Sequence, residues 1–277
     1  MCGRYASSSR PEDLIEEFEV ELDRTAQPGR SILIAPQSPP AGAPDFNMAP
    51  TKQAPVVLTR AIRGGVEVEP RRQLRLLTWG LVPSWAKDVK VGLRMINARA
   101  ESLLDKSSFA PAAAARRCLV PAQGWYEWQV SPTAVDAKGK PRKQPFFVHR
   151  SDRATLAMAG LYEFWHDRSL PEDDPNSWLT TYAIITSAAE PGLDRIHDRQ
   201  PLVLEPGEWG DWLDPTQTDP ASVRAHLESS EPGRFDAYPV GMAVNSSRNN
   251  SPQLLLPAAR SDLVGAVDPA TGEIIGE

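Results

Sequence analysis

The sequence predicts an α+β fold, in which a single domain is built on a curved, barrel-like and mainly antiparallel sheet with a few short flanking helices. The 277 residues include 27 prolines, which divide the chain into short segments and disfavour a helical bundle. Many of these segments are rich in β-branched or aromatic residues, as strands are. Because strand-like and helix-like segments do not alternate regularly, a doubly wound parallel sheet is disfavoured.

The predicted elements follow in chain order from local patterns. A short helix begins near Pro11 and carries Leu14, Ile15 and Phe18 on its apolar face. Five prolines in residues 25–45 predict a long surface loop. The predicted strands are 55–60, 66–68, 74–79, 118–120, 124–130, 145–149, 155–165, 179–186, 202–204 and 235–240. The further predicted helices are 107–116, 207–213 and 221–228.

Two connections between predicted strands have the composition of hairpins. Residues 63–65, with the sequence Arg-Gly-Gly, are suited to a tight turn. Residues 131–144 contain proline, glycine and several lysines, which predicts a hairpin loop rather than a linker between domains. No internal repeat and no clear domain boundary is found in the sequence.

Composition excludes several classes of protein. Apolar residues make up 41% and charged residues 24%, which is ordinary for a globular protein and excludes disorder of the whole chain. No stretch approaches eighteen consecutive apolar residues, so no membrane span is expected. The first residues lack the apolar run of a secretory signal. Two cysteines without such a signal lead us to expect a reducing, cytoplasmic location.

The charge is unevenly distributed along the chain. The net charge of −6 argues against a nucleic-acid binder that uses its whole surface. Residues 60–117 contain twelve Lys or Arg and five Asp or Glu, so this segment carries +7 and the remainder −13. Such a segment is typical of a local anion-binding face, although solvated surface charges without a partner would give the same pattern.

Cys2 is the first candidate for chemistry. Methionine is normally removed before a small second residue, which would leave Cys2 with a terminal amine beside its thiol. Both groups have ordinary pKa values of about 8, so both have reactive fractions near neutral pH. The amine can form an imine with an aldehyde, and the thiolate can then close a five-membered ring. N-terminal-nucleophile hydrolysis is the other chemistry open to Cys2, and a small residue at a frayed terminus is the simplest alternative.

The neighbours of Cys2 and the second cysteine bear on this interpretation. Gly3 permits close approach of a substrate, and Arg4 places a fixed positive charge beside the reactive group. Cys118 lies in an apolar strand and is predicted to be a buried hydrophobic residue. Two distant cysteines and four scattered histidines lack the spacing of a zinc site, so no metal and no other cofactor is expected.

Nine short motifs occur in an order that resembles one family. They are MCGRY (1–5), FNMAPT (46–51), WGLVPSW (79–85), INARAE (96–101), RCLVPA (117–122), GWYEW (124–128), AGLY (159–162), IHDR (196–199) and VN (244–245). Together they resemble the SRAP family, the SOS-response-associated peptidase-like proteins that shield abasic sites in single-stranded DNA. The resemblance implies an SRAP-like domain over residues 1–255, followed by a C-terminal tail over 256–277 that we expect to be loosely held.

The resemblance also implies a covalent chemistry. The amine and thiol of Cys2 would condense with the aldehyde of a ring-opened abasic sugar to give a thiazolidine. Asn97 matches the family's asparagine that hydrogen-bonds the opened sugar, and Glu127 matches the acid/base glutamate. Its two flanking aromatic residues are expected to raise the pKa of Glu127 by desolvation. His197 matches the histidine that assists sugar opening or reversal of the crosslink.

Each of these residues also has a purely structural interpretation. Asn97 could cap a turn, Glu127 could form a cross-strand ion pair, and His197 could cap a loop. The chain also repeats two of the motifs, as Tyr-Glu at Glu163 and as His-Asp-Arg at His166. No Pro-Leu-Val strand directly follows the His-Asp-Arg triplet that begins at His166, which favours Glu127 and His197 as the functional pair.

Contacts to DNA are implied for a further set of residues. Three arginines match family residues that meet phosphates, and two polar residues are expected to do likewise: Arg4, Arg99, Arg199, Asn47 and Thr186. Pro50 and Trp85 match apolar residues that pack where the DNA strand breaks, although Trp85 could instead be a core residue.

The expected partner is single-stranded DNA with abasic sites, bound by a monomer that is not associated with a membrane. Two other functions stay open at this point. One is a cysteine-type peptidase or autopeptidase that uses Cys2, and the other is a noncovalent binder of single-stranded DNA.

Overall fold

The computed structural model describes residues 2–27, 29–33, 35–61, 69–171, 173–228 and 232–275. The predicted strand 66–68 and the predicted turn 63–65 lie outside these residues. The strands are β1 (Tyr5–Ser7), β2 (Leu22–Asp23), β3 (Asp45–Met48), β4 (Gln53–Arg60), β5 (Arg71–Trp79), β6 (Asn97–Arg99), β7 (Arg117–Ala122), β8 (Gly124–Val135), β9 (Pro141–Arg150), β10 (Leu156–His166), β11 (Trp178–Ala188), β12 (Arg199–Pro201), β13 (Phe235–Pro239), β14 (Ala266–Val267) and β15 (Ile274–Ile275). The α-helices are α1 (Pro11–Glu17), α2 (Ala110–Ala115), α3 (Trp209–Leu213) and α4 (Pro220–Leu227).

Five strands close into a small barrel. Strand β4 pairs with β5, β5 with β11, β11 with β10, β10 with β7, and β7 again with β4. All of these pairings are antiparallel except the parallel contact of β5 with β11, where Thr181 lies opposite Thr78. The α+β fold with a barrel-like sheet is therefore confirmed.

Both faces of β4, β7 and β10 are buried over most of their length, which explains why these strands are nearly continuous apolar runs. Val56 and Leu58 belong to one core cluster, whereas Val57 between them belongs to another. The cluster of Val57 includes residues of all four helices, such as Ala112 in α2, and these must lie outside a five-stranded barrel. The cluster of Val56 therefore fills the barrel interior.

A second, fully antiparallel sheet covers one end of the barrel, with strand order β13-β9-β8-β1-β3. Tyr5 in β1 reaches from this sheet into the barrel. Its ring meets Trp79 edge-on with ring centroids 5.1 Å apart, and its hydroxyl lies 2.6 Å from that of Tyr182. All three side chains are fully buried. This contact fixes the amino-terminal strand relative to the barrel.

A buried arginine organises the helical layer on the outside of the barrel. The guanidinium of Arg117 donates hydrogen bonds of 2.6–2.9 Å to the carbonyl oxygens of Ala113, Ala114, Trp212 and Asp214. These carbonyls lie at the carboxyl ends of α2 and α3, where backbone oxygens lack helical partners. Arg117 thus joins two helices to strand β7.

Most sequence-predicted elements are present with shifted ends. Strand β8 continues to Val135 and β9 begins at Pro141, so the predicted hairpin 131–144 is present with a shorter connection. The described residues of 25–44 form turns and irregular backbone, as predicted for a surface loop. The predicted strand 202–204 is shifted: the strand assigned there is Arg199–Pro201, and Val203 beyond it forms an isolated antiparallel bridge with Met158. Leu202 and Leu204 are buried and exchange backbone hydrogen bonds with Ala157 and Ala159, so the apolar pattern marks a segment that lies alongside β10.

The expectation of a loosely held C-terminal tail is wrong for the described residues up to 275. Strands β14 and β15 pair with each other, and the side chain of Gln129 in β8 bonds the backbone of Val267 in both directions, at 2.7 and 2.9 Å. Ser131 donates a 2.6 Å hydrogen bond to the carbonyl of Gly265. The tail is thus held by two polar side chains of β8. A search for apolar periodicity does not detect such contacts.

We predict that the paired hydroxyls of Tyr5 and Tyr182 are energetically coupled. Tyr182→Phe leaves the buried Tyr5 hydroxyl without its partner, which costs about 1–3 kcal/mol of unfolding free energy. The double variant Tyr5→Phe/Tyr182→Phe removes both polar groups and should cost less than the sum of the single variants. Urea unfolding of the three variants measures this coupling, and additive losses would contradict it.

Candidate functional site

The candidate site lies where the amino terminus enters the core. Cys2 is completely buried and belongs to the barrel-interior cluster together with Tyr5 and Trp125. Burial raises the pKa of the Cys2 thiol far above its ordinary range, and the nearby charge of Glu127 raises it further. The backbone N–H of Arg4 donates to the sulfur and acts in the opposite direction. Cys2 therefore carries a protonated thiol at neutral pH, and this thiol needs a base to react.

Asn97 is held beside Cys2 by the parallel pairing of β6 with β11. Ile184 lies opposite Asn97, and Trp79 donates through Nε1 to the carbonyl of Ile96 at 2.9 Å. The Asn97 Nδ2 donates to the Cys2 carbonyl oxygen at 2.8 Å. Its Oδ1 is shielded from solvent and has no hydrogen-bond partner among the described residues. The Asn97 side chain therefore presents a buried hydrogen-bond acceptor next to Cys2.

Glu127 has a strongly altered acidity. It is 6% exposed, and burial raises the pKa of its carboxyl group to about 7 from an ordinary value of 4.5. The direction agrees with the sequence prediction, but the flanking aromatics are not the cause. In strand β8 Glu127 shares a face with Trp125, whereas Tyr126 belongs to a separate core cluster and Trp128 packs against it. Desolvation therefore comes from the side facing Cys2.

His197 lies next to Glu127. Both side chains line one small cavity, together with Trp125, Gln200 and apolar residues of the barrel end. Burial lowers the pKa of His197 below its ordinary value, so the imidazole is neutral at neutral pH.

The tautomer of His197 follows from its Nδ1 contacts. The Arg199 backbone N–H donates to Nδ1 at 3.1 Å, and the Asp198 carboxylate lies 2.8 Å from the same atom. Nδ1 cannot accept from the first and donate to the second at once. The backbone contact is fixed by the turn, whereas the carboxylate is 85% exposed and can turn to water. Nδ1 is thus the acceptor, and Nε2 carries the proton.

Two of the predicted DNA contacts adjoin this cavity. Arg199 lines it, and the guanidinium forms a two-point ion pair with Glu101, one contact of which measures 3.0 Å. The same guanidinium donates to the carbonyl oxygen of the buried Thr186. Arg199 and Thr186 therefore form a network with Glu101, a residue that the sequence prediction did not include.

The side chains of Arg4 and Asn47 form a hydrogen bond with each other and do not both point into solvent. The Arg4 guanidinium donates to Asn47 Oδ1 at 2.7 Å and to the Val244 carbonyl at 3.0 Å. Asn47 is fully buried, and its Nδ2 donates to the carbonyl oxygens of Val244, Ser246 and Asn249. The structure thus engages both polar ends of the Asn47 side chain within the protein.

The other predicted DNA contacts are more accessible. Arg99 is exposed, and its side chain makes no hydrogen bond or ion pair within the described part of the chain. Trp85 is 59% exposed and lines an open cleft with Lys87, Lys90 and Arg94. Trp85 is therefore not a core residue. Pro50 is half-buried, two residues after the end of β3.

The repeated motifs lie elsewhere. Glu163 forms an ion pair with Arg116 at 2.7 Å, and His166 packs on the Trp178 ring with centroids 4.6 Å apart. Among the described residues no group of three His, Cys, Asp or Glu side chains could hold a metal ion. None of their helices has the length and apolar composition needed to cross a membrane. Cys118 is fully buried, as predicted.

Trp125 and Gln200 are among the residues of the cavity that were not predicted from the sequence. Trp125 stands two positions before Glu127, so strand alternation alone could have placed it on the same face. Gln200 is buried, and its Oε1 accepts from the Glu190 backbone N–H at 2.9 Å. No pattern in the sequence marks this second residue.

Comparisons with known proteins agree with this architecture. The profile of the family described as SOS response associated peptidase (SRAP) matches residues 1–247. The chain is 36% identical to the abasic site processing protein YoqW of Bacillus subtilis, over 92% of this chain and 99% of that protein. It is 31% identical to the abasic site processing protein HMCES of Rattus norvegicus, over 93% of this chain and 76% of that protein.

Two crystal structures have a similar fold. A protein from Bacteroides thetaiotaomicron aligns with a TM-score of 0.68 at 20% identity, covering 93% of this chain and all of that one. A phage-related protein from Bordetella bronchiseptica aligns with a TM-score of 0.59 at 29% identity, covering 90% of this chain and 99% of that one.

We predict that Glu127 makes the stability of the protein depend on pH. Because its pKa is higher in the folded chain than in the unfolded one, its full contribution to stability exists only below about pH 4.5. That contribution is lost as the pH rises through 7, by about 3 kcal/mol in total. Urea unfolding from pH 5 to 8 should therefore show Glu127→Gln gaining on the wild type as the pH rises. A constant difference between the two proteins would contradict the raised pKa.

Proposed function

Because this chain belongs to the SRAP family, the SOS response associated peptidases, we propose that it processes abasic sites, as the names of its relatives state for them, and that it does so in single-stranded DNA. In this proposal the removal of Met1 makes Cys2 the first residue. Its amine and thiol then form a covalent thiazolidine with the aldehyde of the abasic sugar. The crosslink shields the lesion.

One observation carries the proposal: three distant segments converge on the amino terminus. Asn97 donates to the Cys2 carbonyl, the charge of Glu127 acts on the Cys2 thiol, and His197 shares a cavity with Glu127. These side chains come from β6, β8 and the turn before β12. A frayed terminus would not be buried among a hydrogen-bonding amide, an acid of altered pKa and a neutral imidazole.

The proposed reaction balances without a cofactor. The Cys2 amine adds to C1′ of the ring-opened sugar, and the resulting carbinolamine loses water to give an imine. The sulfur then adds to the imine carbon, its proton passes to the imine nitrogen through the site, and a five-membered ring results. The net change is an aldehyde plus an aminothiol giving a thiazolidine plus water.

Glu127 is suited to both proton transfers in this sequence. A carboxyl group with a pKa of about 7 exists in both protonation states at neutral pH. Its protonated form can donate to the departing hydroxyl of the carbinolamine, and its ionised form can accept the proton of the buried thiol. The same burial that keeps the thiol protonated thus supplies the base that removes its proton.

Asn97 and His197 have complementary roles in the proposal. The buried Oδ1 of Asn97 is an acceptor for a hydroxyl of the opened sugar, while its Nδ2 holds the Cys2 carbonyl. His197 carries its proton on Nε2, which can donate to the ring oxygen as the sugar opens. The low pKa of His197 keeps it uncharged, so it does not repel a protonated amine.

The DNA would run along the exposed basic residues beside the site. The Arg99 guanidinium is accessible for a phosphate, and Trp85 offers an exposed ring for stacking of an unpaired base. Arg4 and Asn47 would act together, with Asn47 orienting the guanidinium through its Oδ1. Arg199 and Thr186 would hold the cavity wall that faces the lesion.

We predict that the crosslink needs a terminal Cys2. Mature protein mixed with an abasic single-stranded oligonucleotide should give a product that survives a denaturing gel, whereas intact DNA should give none. Cys2→Ser and a variant with an uncleavable residue ahead of Cys2 should both lose this product. The first lacks the ring-closing sulfur and the second lacks the amine. Cys118→Ala is the matched control and should crosslink normally. Efficient crosslinking with the terminus blocked would refute the thiazolidine.

We also predict that Glu127 and His197 act on the rate of crosslinking rather than on affinity. Glu127→Gln keeps the shape of the side chain but cannot transfer protons, so crosslinking should slow by about 10²–10⁴-fold. Noncovalent affinity for the same DNA should change little. His197→Ala should slow both formation and release of the crosslink. Rates come from quenched time courses on denaturing gels.

The repeated motifs provide matched controls for these two variants. Glu163→Gln and His166→Ala change the same residue types outside the site, and both should crosslink at the wild-type rate. Impairment of this pair, with Glu127 and His197 variants unaffected, would show that the motifs were assigned to the wrong residues.

A further inference from the structure

The end of the barrel away from Cys2 contains a second cavity. Its volume is about 320 Å³, which is within the range of small-molecule sites. It is lined by four arginines, polar side chains and two aromatic rings: Arg24, Arg30, Arg60, Arg75, Gln27, Gln53, Thr180, Phe164 and Trp178, with Gly29 and Leu76. None of the described residues that line it is acidic.

Strand alternation places this cavity at the opposite mouth of the barrel from Cys2. Arg75, Leu77 and Trp79 lie on the same face of β5, because they are two residues apart. Trp79 contacts Tyr5 near Cys2, whereas Arg75 lines the cavity, four residues or roughly 13 Å along the strand. The two sites are therefore separate.

Among the described residues, the groups that hydrogen-bond the half-buried guanidinium of Arg75 are neutral. Its guanidinium donates to Gln73 Oε1 at 3.0 Å and to Gln27 Oε1 at 3.1 Å. Burial lowers the pKa of Arg75, and the positive charges of Arg60 and Arg24 lower it further. Arg24 makes no side-chain hydrogen bond or ion pair within the described ranges. A cluster of like charges is costly unless an anion binds between them.

Aromatic and neutral polar groups complete the cavity. The Arg60 guanidinium stacks on Phe164 at 4.4 Å from the ring centroid, which fixes the direction of this cation. Trp178 is 44% exposed at the rim, with one neighbour, His166, against its ring. Arg30 is already neutralised by Asp167 at 2.7 Å, so Arg24 and Arg75 carry the positive charge that no carboxylate of the described lining balances.

We propose that this second cavity binds a nucleoside monophosphate. The phosphate lies between Arg24 and Arg75, where its negative charge balances theirs and its oxygens accept from the two guanidinium groups. The base lies against Trp178, with the amide of Gln53 and the hydroxyl of Thr180 available to its polar edge. The same chemistry is offered by a free nucleotide and by the 5′-phosphorylated end of a DNA strand.

Isothermal titration calorimetry with dAMP tests the proposal. The wild-type chain should bind one dAMP, at least tenfold more tightly than inorganic phosphate or deoxyadenosine. Arg24→Gln and Arg75→Gln should each weaken dAMP binding by about tenfold or more, since each removes a charge-assisted contact. Trp178→Ala should weaken binding of dAMP but not of inorganic phosphate. Arg75 lies within barrel strand β5, whereas Arg24 lies outside the five barrel strands. If Arg75→Gln folds poorly, Arg24→Gln therefore still tests the site.

Controls separate this site from the site of Cys2. Arg224→Gln in α4, on the helical layer, should bind dAMP like the wild type. Arg24→Gln should crosslink abasic DNA at the wild-type rate. A negative result for dAMP binding would therefore leave the proposed crosslinking function untouched, and a negative result for crosslinking would leave the dAMP site untouched. No dAMP binding at millimolar concentration, equal binding of inorganic phosphate, or binding unchanged in Arg24→Gln and Arg75→Gln would each overturn the proposal.

Competition identifies the source of the nucleotide. A short oligonucleotide with a 5′-phosphate should displace dAMP if the cavity takes a strand end, and the same oligonucleotide without the phosphate should not. If neither displaces dAMP, the cavity takes a free nucleotide. Displacement by both oligonucleotides alike would contradict a phosphate-directed site.

Discussion

The site depends on one constraint, which is that the amino-terminal strand is buried inside the fold. Strand β1 is flanked by β8 and β3, and Tyr5 contacts Trp79 and Tyr182 within the barrel. Because Cys2 lies three residues before Tyr5, the chain start is fixed in the core. A terminus is ordinarily frayed, so this burial is what would hold Cys2 in place for the proposed chemistry once Met1 has been removed.

Desolvation then sets the protonation of the site. It raises the pKa of the Cys2 thiol and of the Glu127 carboxyl, and it lowers that of His197, since in each case the charged form is disfavoured. All three groups are thereby shifted toward their neutral forms near neutral pH. A neutral thiol, an acid near its midpoint and a neutral imidazole can exchange protons with a substrate without large changes of buried charge.

Much of the fold could be predicted from the sequence, because local apolar patterns specify strands. The nine short motifs, taken in order, led to the candidate side chains of the site. Apolar runs located nearly every barrel strand, but closure of the barrel through β5 and β11 is a long-range pairing that no local pattern carries. The basic segment 60–117 was identified as a charged region, yet its arginines divide between ion pairs, helix ends and the second cavity. Burial of Asn47 with both polar ends engaged likewise depends on distant backbone.

Carbon NMR of the adduct distinguishes a thiazolidine at Cys2 from any other linkage to the abasic sugar. An abasic oligonucleotide labelled with ¹³C at C1′ is crosslinked to the protein, and digestion leaves the peptide of Cys2, Gly3 and Arg4 on the sugar. In a thiazolidine the label becomes a saturated carbon bonded to both nitrogen and sulfur, and no thiol is left to alkylate, which is the result that we expect. An imine carbon beside a thiol that can be alkylated would contradict it.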